Sequence, residues 1–382
     1  MENYLNPIEE DNRDDAQDLQ NLDTSGIVVY ARDWTIQTIY SQIKAGNIDL
    51  NPKFQRRNAW QDSRRSKLIE SIIMGYPIPE IVLAEDPSRK KSFIVIDGKQ
   101  RLLSIAGFID HEGFNYWNTP SLKQLNVCKS LNGLSYAELP ETNLREFENS
   151  SLRCTVITNY SDIQVLYDIF YRLNSGSVAL SSQELRQVLN RGDFGDYLIE
   201  ITNNTNILHN AMGLKEPDTR LRDVEIILRV LSFYLYASDY KGNLRRFLDD
   251  SMHKVTKDWT NMETVIRDLY EKMNTSVQLL GEVFGDIKFV GRKYKNGSFE
   301  TRFNKALFEV EVFYFMHLDN TILSQKEAFI SAFKKLSSDD AEFMASIESS
   351  TKNMENYKVR YNRIEQLINN TFHLELNVNP FK

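Results

Sequence analysis

Several residue types and motifs on which particular protein classes depend are scarce or absent. The chain has only two cysteines, Cys128 and Cys154, which form no disulfide framework and no CxxC pair, so a zinc ribbon is excluded. Its five histidines are widely scattered, with neither an HxxxH nor an HNH-like grouping, and we therefore expect no histidine-metal nuclease. The Gly-x4-Gly-Lys-Ser/Thr loop of Walker-type NTPases and the GxSxG motif are missing as well. These catalytic classes can be set aside.

Long apolar runs are also missing. The longest apolar stretches, such as residues 81–84, are far shorter than the roughly 20 residues needed to span a bilayer. Residues 1–15 have neither a basic end nor an apolar segment, so they do not resemble a secretory signal. Two thiols without a disulfide pattern fit a reducing compartment. We therefore predict a cytoplasmic protein with no membrane partner.

The length and the charge distribution predict an acidic tail and two domains. A single core usually stops growing near roughly 250 residues, and this chain has 382. The net charge of −7 is carried by the first 23 residues, where eight acidic residues accompany Arg13. We predict that residues 1–25 are a disordered tail, with mimicry of nucleic acid over a basic groove as the alternative. The neutral remainder does not exclude DNA binding, since only a local patch of charge matters.

The pattern after the tail predicts an α+β domain with a small sheet. Three apolar runs are typical of short strands: residues 27–30, 81–84 and 93–96. Residues 62–74 have the apolar spacing of a helix, with Asp62 or Ser63 as its cap, and Asp33 is predicted to cap an earlier helix. Ser181 and Glu184 form a capping box at the start of another helix.

The second half of the sequence predicts only helices. After about residue 205 the apolar residues follow the helical period in five long segments: residues 221–236, 262–283, 301–317, 326–336 and 358–369. We therefore predict a mixed domain over residues 26–204 and an all-α domain over residues 205–382.

The most informative stretch is Asp97-Gly98-Lys99-Gln100-Arg101, where a strand, a glycine turn and a helix meet. The first amides of a helix lack intrahelical partners, and glycine allows a phosphate to approach them. Lys99 and Arg101 add positive charge, and Asp97 is a candidate to hold a divalent ion or to orient a water molecule. The alternative is that Asp97 merely caps the helix while Lys99 and Arg101 are solvated.

Two other segments are candidates for the same anion. Gln55 and Arg56 belong to a basic segment with aromatic residues that ends at Trp60, which suits phosphate contacts and stacking. A charged, solvent-exposed stretch is the alternative there. The second segment is a turn at Asn174 together with Arg186, which follows it. The alternative for Asn174 is that it only supplies a turn residue that accepts a positive φ.

One basic loop is a candidate for DNA binding. It lies between the second and third predicted strands and contains Arg89, Lys90 and Lys91. Clustered cations of this kind suit contacts with backbone phosphates.

Five motifs, in order, resemble the N-terminal domain of GmrSD-type, modification-dependent restriction proteins. They are FQR followed by tryptophan (residues 54–60), SII-G-PIP (71–79), IDG-QRL (96–102), F-RLNSG (170–176) and L-QELR (180–186). The resemblance covers residues 30–200 and implies a core similar to ParB and sulfiredoxin. It also implies nucleotide binding and hydrolysis by the DGQQR motif, coupled to DNA cleavage in defence against phage. Lys99 replaces the usual glutamine, and the HNH-type signature of larger members is absent.

The leading hypothesis is a nucleotide-binding, DNA-associated protein of a restriction or phage-defence system. In this hypothesis, NTP and Mg²⁺ are the cofactors. The residues that act on the phosphates are Asp97, Lys99, Gln100 and Arg101. The residues that help to bind the phosphates are Gln55, Arg56, Gly98, Asn174 and Arg186. DNA is the expected partner, together with a separate nuclease or modification-sensing protein, and oligomer formation is left open.

Two alternatives remain. The first is a non-catalytic subunit that senses nucleotide or DNA and regulates a separate nuclease. The second is a degenerate PD-(D/E)xK nuclease in which Glu80 and Asp97 bind Mg²⁺ and Lys99 activates water.

Overall fold

The computed structural model describes residues 24–50, 60–87, 89–173 and 181–382. Predictions that concern the acidic tail, Gln55, Arg56 and Asn174 fall outside these ranges. Contacts divide the described residues into an N-terminal unit, residues 24–173, and a C-terminal unit, residues 181–382. Within the described ranges, no helix combines the length and apolar character needed to cross a membrane.

The N-terminal unit contains a five-stranded mixed sheet, in the order β1-β5-β3-β4-β2. The strands are β1 (Val28–Thr35), β2 (Ile48–Asp49), β3 (Ile81–Glu85), β4 (Phe93–Asp97) and β5 (Ser151–Thr158). The pairs β1–β5 and β3–β4 are antiparallel, whereas β3–β5 and β2–β4 are parallel. The predicted strands correspond to β1, β3 and β4, and the small mixed sheet confirms the α+β class of this unit.

Five helices complete the unit: α1 (Ile36–Lys44), α2 (Asp62–Ile73), α3 (Lys99–Ile109), α4 (Glu141–Asn149) and α5 (Gln164–Leu173). One hydrophobic core joins one face of the sheet to α1, α2, α3 and α4. It includes Ile69 of α2, Leu83 of β3 and Leu102 of α3, which are all fully buried. This packing fixes the position of the β4–α3 connection, because α3 packs against α1 and α2.

Two predicted helix caps are wrong. Thr35, not Asp33, caps α1, since its side chain accepts the Thr38 amide, while Asp33 pairs with Arg153 of β5. Neither Asp62 nor Ser63 caps α2, whose N-cap position is Gln61. Long-range partners override the local capping preference at both positions.

Two acidic side chains of α2 instead hold the long connection between α3 and α4. The Asp62 carboxylate accepts the amides of Asn118 and Thr119 at 3.2 and 3.1 Å. Glu70 accepts the amides of Val127 and Cys128, each at 2.8 Å. Burial opposes ionisation of Glu70, but these backbone donors outweigh it and hold its pKa below the ordinary value. The connection is thereby pinned to α2.

The C-terminal unit is rich in helices, as predicted. They are α6 (Ser182–Leu189), α7 (Asp193–Ile201), α8 (Ile207–Met212), α9 (Arg222–Tyr236), α10 (Leu244–Lys257), α11 (Trp259–Phe284), α12 (Lys305–Phe315), α13 (Lys326–Asp339), α14 (Ala341–Glu348) and α15 (Met354–Phe372). The all-α prediction is wrong at one hairpin, where β6 (Tyr294–Lys295) pairs with β7 (Ser298–Phe299). The unit begins before the predicted boundary at residue 205, because α6 and α7 pack on α9 and α10.

Candidate functional site

The turn between β4 and α3 has the geometry of an anion-binding helix start. Gly98 occupies the N-cap position with φ +92°, and α3 begins at Lys99. The Gly98 carbonyl accepts the Leu102 amide at 3.0 Å, which closes the first helical turn. No side chain caps this helix, and its first turn contains no acidic residue. The amides at its start therefore supply donors and partial positive charge for an anion.

Glycine is required at position 98 for two reasons. An L residue at φ +92° is strained, and a Cβ atom there would lie 2.5 Å from Cδ1 of Ile81. It would also lie 3.1 Å from an Nη atom of Arg101, so the arginine side chain passes over the turn. The absence of a Cβ atom lets both side chains approach the backbone.

We expect Gly98→Ala to lower the free energy of unfolding by about 3 kcal/mol, of which about 1–2 kcal/mol is left-handed strain and the rest displacement of Ile81. Gly133→Ala is the matched control, because Gly133 has φ +89° and no neighbouring atom within 4 Å of the added Cβ. Urea unfolding of both variants measures the difference. Equal destabilisation would contradict the contact with Ile81.

Arg101 is held beside the turn by two acceptors. One Nη atom donates to the Pro79 carbonyl at 2.9 Å and the other to Asp97 Oδ2 at 2.5 Å. The Arg101 side chain is 11% exposed and the Asp97 carboxylate 38%. The alternative in which Asp97 caps α3 and Arg101 is solvated is therefore wrong. Within the described part of the chain, two of the five N–H donors of the guanidinium make these contacts.

Lys99 and Gln100, the first two residues of α3, follow the same turn. Only 9% of the Lys99 surface is exposed, so this side chain is not solvated either. The Oε1 atom of Gln100 accepts the Trp60 amide at 3.3 Å. The Arg64 guanidinium lies 4.3 Å from the centre of the Trp60 ring. The start of α2 thus brings a further exposed cation toward the start of α3.

Arg186 lies in the C-terminal unit and is engaged in an internal ion pair. Its surface is 1% exposed, Nε donates to Asp249 Oδ1 at 2.7 Å, and Nη1 donates to Gln183 Oε1 at 2.6 Å. The capping box at the start of α6 is confirmed, because Ser181 and Glu184 exchange both hydrogen bonds. These contacts give Arg186 and Glu184 structural roles in α6.

Hydrogen bonds anchor Arg89 and Lys91 of the basic loop between β3 and β4. Arg89 donates to the Gly46 carbonyl at 3.1 Å, and the Lys91 amide donates to Glu85 Oε1 at 2.9 Å. The side chains of Lys90 and Lys91 are exposed. Arg89 therefore ties the loop to the end of α1, while the two lysines project from it.

Acidic side chains near the turn are few. Glu80 accepts the Thr155 hydroxyl at 2.7 Å, and Asp97 is paired with Arg101. In the described part of the chain, no group of three or more His, Cys, Asp or Glu residues is arranged to hold a metal ion. A magnesium ion at this turn would have Asp97 as its one protein carboxylate and would need phosphate oxygens and water as its other ligands. Lys99, which is the lysine of the alternative PD-(D/E)xK site, lies on α3 and not on a strand.

Comparison with known proteins finds one family model that matches part of the sequence. No curated protein matches the chain. The family model described as GmrSD restriction endonuclease, N-terminal domain, matches residues 36–189, which include the β4–α3 turn. The family predicted from the sequence motifs is therefore confirmed for residues 36–189, which match the N-terminal domain of GmrSD restriction endonuclease.

Proposed function

We propose that this chain binds and hydrolyses a nucleoside triphosphate at the β4–α3 turn, within a restriction or phage-defence system. The observation that carries the proposal is the uncapped start of α3 behind Gly98, with Arg101 fixed beside it. A helix start of this kind and an arginine fork are complementary to phosphate oxygens. The family match supports the restriction or defence setting.

Each residue of the turn has a distinct role in this proposal. The amides of α3 and N–H groups of Arg101 bind phosphate oxygens, and Lys99, the first residue of α3, adds positive charge. Asp97, the more exposed partner of the ion pair, orients the attacking water or binds Mg²⁺ that is shared with the phosphates. Mg²⁺ would neutralise charge on the phosphate oxygens. Asp97 also positions Arg101, because the two side chains share a hydrogen bond.

DNA is the proposed partner, and the loop at Arg89, Lys90 and Lys91 is its proposed contact. The exposed lysines lie in a loop that hydrogen bonds anchor at Arg89 and Lys91, which suits contacts with backbone phosphates. A separate nuclease or modification-sensing protein is a further proposed partner. The proposed similarity of the core to ParB and sulfiredoxin is supported by the mixed sheet and by the DGKQR motif at a strand-to-helix turn.

Titration of ATP and GTP into the full chain with Mg²⁺, paired with a phosphate-release assay with and without duplex DNA, tests the proposal. Arg101→Ala should weaken binding roughly tenfold to a hundredfold, because a charge-assisted contact contributes about 1.5–3 kcal/mol. Asp97→Ala should abolish hydrolysis while leaving affinity within a few-fold, because the Pro79 carbonyl still holds Arg101 beside the turn. Lys99→Gln, which restores the usual family residue, should keep or raise turnover.

Arg145→Ala is the matched control, since Arg145 also pairs with an acid four residues away, Glu141, but on the exposed surface of α4. It should leave binding and turnover unchanged. Absence of binding by the parent protein, or equal affinity in Arg101→Ala, would contradict the proposed site. Binding without turnover under every condition would favour the non-catalytic sensor.

A further inference from the structure

One edge of the sheet in the N-terminal unit is open. The eight-residue strand β1 pairs with β5 on one side, and no strand in the described part of the chain pairs with its other side. Val28 is 49% exposed and Val29 is 57% exposed. A long exposed edge strand offers main-chain donors and acceptors to another strand.

The register shows which backbone groups face outward. Residues 28–35 pair antiparallel with residues 151–158, and the Ile36 amide donates to the Ser150 carbonyl at 3.0 Å. In an antiparallel ladder, hydrogen-bonded and non-hydrogen-bonded pairs alternate. The even-numbered residues of β1 therefore bond to β5. The N–H and C=O groups of Val29, Ala31 and Asp33 point to the free edge.

The usual devices that protect an edge strand are missing from β1. It contains no proline and no lysine, and its register with β5 has no bulge. The contacts of its two charged side chains are with β5 and with β1 itself. Asp33 is held by Arg153 of β5, and the Arg32 guanidinium lies 5.1 Å from the centre of the Tyr30 ring. Among the described residues, β1 therefore carries none of the devices that would keep another strand from its edge.

We propose that two copies of this chain dimerise by antiparallel pairing of their β1 strands, centred on Ala31. Pairing a strand with its own copy is self-complementary and closes with twofold symmetry, which leaves no further open β1 edge. The dimer thus accounts for the exposed valines and for the unprotected backbone groups together.

The charges of β1 favour this register over the other twofold-symmetric registers of two paired β1 strands. Centring on Ala31 places Val29 opposite Asp33 of the second copy and uses the outward groups of all three odd-numbered residues. It also places Arg32 opposite Tyr30 of the second copy, a favourable cation–aromatic pair. Centring on Arg32 or on Asp33 would set like charges directly opposite each other, which is destabilising. Centring on Tyr30 would leave the outward groups of Asp33 unused.

Light scattering coupled to size exclusion, over a dilution series of the full chain, tests the dimer. The parent protein should have twice the 44.5 kDa mass of one chain. Ala31→Pro removes an outward N–H at the symmetry axis and should raise the dimer dissociation constant roughly tenfold or more. The N-terminal unit should still fold, because the Ala31 amide does not bond to β5, and circular dichroism checks this.

Two substitutions of one residue test the register. Val29→Asp sets a carboxylate opposite Asp33 of the second copy and should weaken the dimer, whereas Val29→Lys sets an opposite charge there and should preserve it. A parent protein of 44.5 kDa at every concentration would overturn the proposal, as would a dimer that a folded Ala31→Pro variant leaves intact. Equal effects of Val29→Asp and Val29→Lys would overturn the register.

Discussion

Replacing Glu309 with alanine should lower the free energy of unfolding of the C-terminal unit by about 3–5 kcal/mol, because it leaves buried cations without their carboxylate. Glu309 lies on α12 and is 1% exposed. It pairs with Arg229 of α9 at 2.9 Å and with Arg360 of α15 at 3.7 Å, both of them also buried. The Tyr357 hydroxyl donates to it at 3.3 Å. One carboxylate thus links three helices.

Glu263→Ala is the matched control in the same unit. Glu263 pairs with Arg267 at 2.8 Å, but both side chains are at least 43% exposed. Removal of such a surface pair should cost about 0.5 kcal/mol or less, because water screens the charges and solvates the remaining arginine. Urea unfolding followed by circular dichroism compares the two variants. Similar midpoints for Glu309→Ala and Glu263→Ala would show that the buried pair contributes no more than the exposed one.

The stability of the C-terminal unit should fall as pH rises from about 5 to about 8 because of Glu311. This residue is 1% exposed, and burial raises its pKa from the ordinary 4.5 to about 8, against the opposing effects of the Gly291 amide and Arg292. The folded protein therefore retains a proton that the unfolded chain releases. The stabilising contribution is complete below the unfolded pKa and is lost as pH rises through the folded pKa. The loss should reach about 4 kcal/mol, at about 1.4 kcal/mol for each pH unit.

Glu311→Gln isolates this contribution. The amide keeps the neutral shape and can still accept the Gly291 amide, which donates to Glu311 at 2.8 Å. Urea unfolding from pH 5 to about 8 should give a difference between parent and variant that grows with pH, in favour of the variant. Parallel stability curves for the two proteins would refute a protonated Glu311. Other titrating groups cancel in the comparison, since both proteins contain them.

The outline of the candidate site could be predicted from the sequence because it depends on residues that are close together in the chain. An apolar run, a glycine and a second apolar run predict a strand, a turn and a helix, and these became β4, Gly98 and α3. The family motifs cover the same positions. The contact that fixes Arg101, however, is the Pro79 carbonyl, 22 residues earlier in the chain. A backbone acceptor leaves no mark in the sequence, so this contact could not be predicted.

Strand β5 shows why part of the sheet was missed. It contains buried Leu152, Cys154 and Val156 in alternation, which is the pattern of a half-buried strand. That alternation could have predicted the strand, but not its position between β1 and β3. Strand order depends on pairing between distant segments, and the period of one segment does not specify its neighbours.

The sequence by itself determined the helical period of the second half, the strand-to-helix turn at Gly98 and the family of residues 36–189. These depend on the spacing of nearby residues, which the chain encodes directly. Only the tertiary structure decided what the charged side chains do. Asp33 and Asp62 were expected to cap helices, yet they bind Arg153 and the amides of a distant loop. A carboxylate binds the strongest donors that folding brings within reach. For Asp33 the donor is Arg153 of another strand, and Asp62 adds amides of a distant loop to its local partner Arg65.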